Sequence, residues 1–272
     1  MLGRGRPPCA GADSLGFEWS DGSFAGRLGP SPERPDRVSV TVVLPCLDEA
    51  AALPGVLAAV PEGWPVLVVD NGSVDGSPEL AARLGAQVVH EARRGYGAPV
   101  HTGIEAAGTE LVAVLDCDGS LDPAELVGPV ETVLRGEADL VVGRRRVVQS
   151  RSWPWHARAG NAVLAALIRV STGVAVHDIA PVRVARRQAL LDLGIEDRRF
   201  GYPLETVLAA AQAGWRVVEV DVTYRRRAAG GRSKVSGSVR GTLRVLQDFT
   251  AVLRRRAFRR HPSGATAPNP LT

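Results

Sequence analysis

The chain is poor in several things at once. Aromatic residues make up 5% of its 272 residues, and there is a single Met. Any core must therefore be built from Val, Leu and Ala, which suits closely packed strands and helices. There are three cysteines, Cys9, Cys46 and Cys117. They are scattered, odd in number and not at metal-ligand spacing, which argues against a disulfide framework and a zinc ribbon and for a reducing compartment. No apolar run reaches the length of a membrane span. Arg4 and Arg6 are followed by no apolar stretch, so no secretory leader is expected. These absences point to the cytoplasm or the inner face of a membrane.

Charge is present but unevenly spread. The formal net charge is +4. Between Arg225 and Arg260 twelve Lys/Arg face one acid, Asp248, a local +11, and the rest of the chain sums to −7. A basic segment on an acidic body implies an anionic partner at that end. Nucleic acid is the poorest fit. Single-stranded binders interleave aromatics with their cations, and this segment offers only Phe249 and Phe258, both on its apolar side.

Val112 to Leu115 is an apolar run of strand type that ends in Asp116-Cys117-Asp118-Gly119-Ser120. Residues two apart in an extended chain point the same way, so Asp116 and Asp118 share a side. Paired carboxylates repel unless a cation lies between them. A hard divalent ion, Mg²⁺ or Mn²⁺, answers that need and keeps places open for phosphate oxygens. The plainer alternative is an acidic turn closing a strand.

Residues 1–37 are rich in Gly, Pro, Ser and Arg without periodicity and read as disordered. From Val38 on, strands alternate with helices: strands at 38–44 (stopped by Pro45), 66–69, 86–89 and 111–115, and helices at 50–60, 78–84 and 96–107. That alternation predicts an α/β fold, a largely parallel sheet flanked by helices. Ligands of such sheets bind at the carboxyl ends of the strands. Three of those ends carry polar turns: Pro45 to Glu49, Asp70 to Ser77, and Asp116 to Ser120. The remaining one, His90 to Gly97, is a Gly-rich basic loop suited to phosphate. His90, His101, His156 and His177 have no partner at ligand spacing and read as ordinary histidines.

These motifs, in this order, resemble the family-2 glycosyltransferases with the GT-A fold, from Val38 to about Gly241. Pro45 to Glu49 is similar to that family's P-x-x-N-E, with Asp48 in place of Asn. Asp70 to Ser77 is similar to D-D-G-S-x-D-G-T, with Asn71 in place of the second Asp. Asp116 to Gly119 is similar to D-x-D-G. The second half resembles the branch that makes polyprenyl-phosphate sugars, the dolichyl-phosphate mannose synthase type. Val141-Val142-Gly143-Arg144 is similar to its G-S-R segment. Asp178 to Arg183, Phe200 to Glu205, and Tyr224 to Lys234 resemble segments of an uncharacterised bacterial relative and its group, the last with one residue inserted before its glycines. Where mannose synthases carry Gln as a third metal ligand this chain has Ser120, a shorter one.

The resemblance implies a GT-A domain over 38–235 and an inverting, metal-dependent transfer of a sugar from a UDP- or GDP-linked donor. It implies Asp116, Asp118 and Ser120 around Mg²⁺ or Mn²⁺, and Pro45, Glu49 and Asp70 at the nucleoside. Arg227, Arg232 and Lys234 fall at the diphosphate. Polyprenyl phosphate is the implied acceptor, gathered by Arg144, Arg158 and Arg183. A phosphate anion needs no base, whereas a hydroxyl acceptor does. Glu205 is the base candidate by position; its alternative is a first-turn Glu favoured by the helix dipole. Trp153-Pro154-Trp155 lines an acceptor groove or anchors a loop.

Residues 236–260 form a basic amphipathic helix with Leu243, Leu246, Phe249, Val252, Leu253 and Ala257 on one side. Such a helix either lies on an anionic membrane or packs on the core. Residues 261–272 read as a disordered tail. The competing functions are a glycosyltransferase with a soluble or glycan hydroxyl acceptor, and a non-catalytic nucleotide-sugar or RNA-binding protein. A nucleotidyltransferase would want a Gly-rich loop with Lys where Pro45 to Glu49 stands.

Overall fold

The computed structural model describes residues 39–148, 162, 165–166, 168–170, 172–179, 181–227 and 239–258, with side chains in the last stretch from 247 to 256. Among the described residues seven strands form one sheet. They are β1 (Val40–Cys46), β2 (Val66–Asp70), β3 (Gln87–His90), β4 (Leu111–Val114), β5 (Leu140–Val147), β6 (Arg183–Arg186) and β7 (Val217–Tyr224). The order across the sheet is β3-β2-β1-β4-β6-β5-β7. Every neighbouring pair is parallel except those made by β6, which runs against both β4 and β5.

Among the described residues the α-helices that flank the sheet include α1 (Leu53–Ala58), α2 (Ser77–Arg83), α3 (Gly97–Ala106), α4 (Val127–Leu134), α5 (Arg187–Asp192), α6 (Tyr202–Gln212) and α7 (Val239–Phe258). Strand alternation sorts them into two layers. Val43, Val69, Val112 and Val114 face one core with α3, α5, α6 and Val252 of α7. Val42, Leu44, Val68, Leu111 and Ala113 face the other with α1, α2 and α4. A sheet covered on both sides explains why β1, β2 and β4 are nearly continuous Val/Leu runs.

Two expectations change. Pro45 does not stop β1: it stays in register opposite Val69, and the strand runs on to Cys46. The β1–β4 ladder ends with Leu115 N–H on the Val43 carbonyl at 3.1 Å. The donor that Pro45 lacks thus falls just past the last bond to β4, where a proline costs little. The apolar side of α7 also has an occupant. Val252 is fully buried, and Phe249 and Leu253 pack on the core of that face. The side chains of Leu243, Leu246 and Ala257 lie outside the described residues. No helix among the described residues is long and apolar enough to cross a membrane.

Candidate active site

The carboxyl ends of β1, β2 and β4 meet at one edge, and side chains lace the first two turns together. Asp48, at φ 50°, gives its N–H to Ser73 Oγ at 2.9 Å and takes that of Val74 on Oδ1 at 2.8 Å. Glu49 N–H reaches Ser77 Oγ, and Ala50 N–H reaches Asp75 Oδ2, each at 2.9 Å. Asp75 also accepts the Ser77 N–H at 3.0 Å, so it ties the start of α2 to the β1 turn. Asp70 is 4% exposed and closes its own turn. Its carboxylate accepts Ser73 N–H at 3.0 Å and Gly72 N–H at 3.1 Å, with His90 Nδ1 at 3.2 Å. Burial works against that charge, but the bonds from Ser73, Gly72 and His90 prevail and hold the carboxyl below its usual range.

The basic loop after β3 does not present an anion site. Gly97 and Ala98 N–H groups, at the start of α3, donate to the carbonyls of Arg199 and Arg198 at 2.9 and 2.8 Å. Arg94 donates to the Asn71 carbonyl, and Arg93 pairs with Glu91 at 2.8 Å. The glycines are there because chain passes close: a Cβ on Gly97 would lie 2.6 Å from Cβ of Tyr202. This placement does bring Tyr96 to the carboxylates. Its hydroxyl is buried beside Asp116 and Arg183. Burial first, then the Asp116 charge, pushes the phenol well above its usual range.

Asp116 and Asp118 flank Cys117, which turns into the opposite core with Cys46. Burial and the neighbouring Asp118 charge raise the Asp116 carboxyl to about 7, against the pull of Arg227 and Arg145. Asp118 Oδ1 accepts the Ser120 N–H at 2.9 Å, and Oδ2 is held by Arg227 Nε at 2.8 Å. Ser120 Oγ is buried with no hydrogen-bond partner. Two crowded carboxylates and an unsatisfied hydroxyl are hard oxygen donors. Among the described residues no cluster of three or more His, Cys, Asp or Glu forms a metal cage. This donor set fits Mg²⁺ or Mn²⁺ completed by ligand oxygens, the usual manner of Mg²⁺.

Around the carboxylates the cations differ from expectation. Arg144 binds Asp221 at 2.6 Å, with Glu219 at 3.8 Å. Arg145, one place along β5 and hence on the other face, is the one whose charge reaches Asp116. It is fixed by Asp178 through its backbone N–H at 2.9 Å and its guanidinium at 2.8 and 2.7 Å, and lies over the Tyr224 ring. Sequence reasoning missed it because Arg144, Arg145 and Arg146 are adjacent and only strand register sorts them. Asp178 was the available signal, a buried acid requiring a partner. Arg183, 1% exposed, donates to the Pro181 carbonyl at 2.8 Å and stands beside Tyr96. Arg158, Trp153-Pro154-Trp155, Arg232 and Lys234 lie outside the described residues.

Glu205 is tied into the fold through both of its carboxylate oxygens. It is 1% exposed in the first turn of α6. Oε2 accepts the N–H groups of Asp197 at 2.7 Å and Glu196 at 3.1 Å, and Oε1 pairs with Arg256 at 3.2 Å. A carboxylate bonded on both oxygens and closed off from solvent braces α6 against α7; it is not placed as a base.

A mostly parallel sheet with paired carboxylates at its carboxyl edge and an arginine arm folded onto them defines a sugar-transferring enzyme of the GT-A type. The family model described as "Glycosyl transferase family 2" matches residues 41–194. The chain belongs to that family and is a glycosyltransferase. An uncharacterized glycosyltransferase of Mycobacterium tuberculosis is 57% identical over 215 residues, 79% of this chain and 98% of the relative. The polyprenol monophosphomannose synthase of Mycolicibacterium smegmatis is 32% identical over 228 residues, 77% of this chain and 85% of the relative. Among solved structures, Mycobacterium tuberculosis glucosyl-3-phosphoglycerate synthase with Mn²⁺, UDP and glucosyl-3-phosphoglycerate shares the fold. Its TM-score is 0.63 at 21% identity, over 81% of this chain and 80% of that one.

Proposed function

We propose that this glycosyltransferase moves a sugar, with inversion, from a UDP- or GDP-linked donor to polyprenyl phosphate, using Mg²⁺ or Mn²⁺. The observation that carries the acceptor class is the locking of Glu205 by Arg256 and two backbone N–H groups. The other acids near the pair are also engaged: Asp118 by Arg227, Asp178 by Arg145. Among the described residues Glu205, Asp118 and Asp178 are thus held by cations or backbone N–H groups, which suits an acceptor that is already an anion. The name of the Mycolicibacterium smegmatis relative supports the same class.

In this reading Asp116, Asp118 and Ser120 hold the cation. When bound, it would neutralise charge growing on the leaving diphosphate. Pro45, Glu49 and Asp70 shape the nucleoside end, Asp70 by fixing its turn. Arg227, with Arg232 and Lys234 beyond it, meets the diphosphate by charge-assisted bonds. Arg145 and Arg183 bring positive charge to the acceptor side. An acceptor phosphate oxygen attacks C1 of the sugar; the new C1–O bond forms as the bond to the diphosphate breaks, and the electron pair leaves on the diphosphate. No proton has to be removed.

The test is a panel of UDP- and GDP-sugars with Mn²⁺, offered polyprenyl phosphate, a short water-soluble prenyl phosphate, or a glycan with free hydroxyls. Nucleoside diphosphate release that depends on either phosphate acceptor supports the reading. Release with the hydroxyl acceptor alone overturns it.

A further inference from the structure

Arg227 sits where a cation serving Asp118 has to sit. Its Nε is 2.8 Å from Asp118 Oδ2, and the two side chains are 25% and 6% exposed. The other Asp118 oxygen accepts the Ser120 N–H at 2.9 Å, so both oxygens are engaged. The same guanidinium acts on Asp116 and on Glu49. A guanidinium does not lose its proton in a protein, so it yields the carboxylate only by moving.

The backbone permits that movement. Arg225 N–H bonds the Ser120 carbonyl at 2.8 Å, and Arg225 also reaches Asp122 at 3.2 Å. These contacts fasten the end of β7 to the carboxylate loop two residues before Arg227. Rotation of the Arg227 side chain therefore leaves β7 in place, while its long stem keeps the charge near the edge where a diphosphate arrives.

We propose that Arg227 is a placeholder cation: it neutralises Asp118 while the donor is away and passes to the donor diphosphate when a divalent ion takes its place. The inference rests on the metal-dependent reading above and adds an order to it. The metal enters with the diphosphate rather than before it, because the diphosphate offers Arg227 an anion outside the acidic cluster that the metal occupies. The exchange keeps a cation at the carboxylates throughout, a divalent ion replacing a monovalent one, and avoids exposing two bare acids to each other.

The test is Mn²⁺ binding followed by electron paramagnetic resonance on wild type, Arg227→Gln and Arg227→Lys, each with and without UDP or GDP. Removing a unit charge a few ångströms from the ion raises affinity for Mn²⁺ alone by roughly tenfold or more. With nucleoside diphosphate present the order reverses, since Arg227→Gln lacks the contact to phosphate. Arg227→Lys, which keeps the charge, stays close to wild type and serves as the reference if Arg227→Gln melts early. Equal affinity of wild type and Arg227→Gln for Mn²⁺ alone overturns the placeholder and leaves the metal reading standing. No Mn²⁺ binding by any form, even with nucleoside diphosphate, overturns both.

Discussion

Arg256 of the C-terminal helix α7 reaches the buried carboxylate of Glu205 in the first turn of α6, 3.2 Å away and 51 residues earlier in the chain. Arg255 adds a second cation, 3.3 Å from Asp197 and 3.8 Å from Glu205. The basic stretch expected to face an anionic surface thus spends two of its arginines inward. Changing Arg254, Arg255 and Arg256 together would strip buried carboxylates of their partners as well as altering surface charge. Arg254, which is exposed, is the arginine to change alone when probing the surface.

Glu205→Gln is expected to act on stability and not on chemistry. Breaking a buried pair costs about 3–5 kcal/mol, which lowers the melting temperature by roughly 6–20 °C for a domain of this size. At a temperature where the variant is folded, kcat should stay within about threefold of wild type, whereas loss of a general base removes about 10²–10⁴. Calorimetry and nucleoside diphosphate release on one preparation decide it.

Asp118→Asn is expected to cut transfer by at least about 10²-fold while leaving the circular dichroism unchanged, because Arg227 swings to solvent. EDTA should inhibit wild type to a similar degree, and Mn²⁺ should restore it. Full activity in EDTA would remove the metal from the mechanism.

Acid stability has a named source in Glu91. Its carboxylate accepts Arg93 Nε at 3.1 Å, Arg93 Nη2 at 2.8 Å, Arg93 N–H at 2.7 Å and the Thr102 hydroxyl at 2.6 Å. The Arg93 bonds, against the cost of burial, bring its pKa from 4.5 down to about 2. A carboxyl lowered by folding stabilises fully above its unfolded value and loses that contribution as pH falls through the folded one. The gap between wild type and Glu91→Gln should therefore be widest above about pH 4.5 and close toward pH 2, read by thermal melts across that range.

Gly97→Ala and Gly128→Ala should move stability in opposite directions. The first drives a methyl into Tyr202 and the Arg198 backbone, at 2.6 and 2.9 Å, and overpacking costs about 1–3 kcal/mol. The second places Ala in an open position of α4 with nothing within 4 Å and should gain about 0.5–1 kcal/mol. Because Tyr96 precedes Gly97, the first variant should also weaken diphosphate binding in the presence of Mn²⁺; the second should not.

What the sequence conveyed follows from how local each signal is. β1, β2 and β4 are legible because burial on both faces leaves uninterrupted apolar runs. The carboxylate pair is legible because it follows directly on the apolar run of β4, although that strand ends at Val114 and the pair lies in the turn beyond it. Arg183-Val184-Ala185-Arg186 carries no such pattern, yet it is the strand that joins the two halves of the sheet. Its place depends on pairings with Val112 and Val141, far away in the chain. The same is true of Arg145 against Arg144, decided by strand register, and of Glu205, whose partner comes from the last helix.

The reversed course of β6 also bears on how the protein is made. The edge of β4 that it covers is complete once Val114 has left the ribosome, but its partner begins only at Arg183. At about 5–20 residues per second that edge waits several seconds with its amides and carbonyls unpaired. Its side chains there are Leu111, Val112, Ala113 and Val114, with no charge or proline to discourage another strand. During synthesis the nascent first half is thus the stage most open to wrong pairing, and chaperone demand should peak before Arg183 emerges.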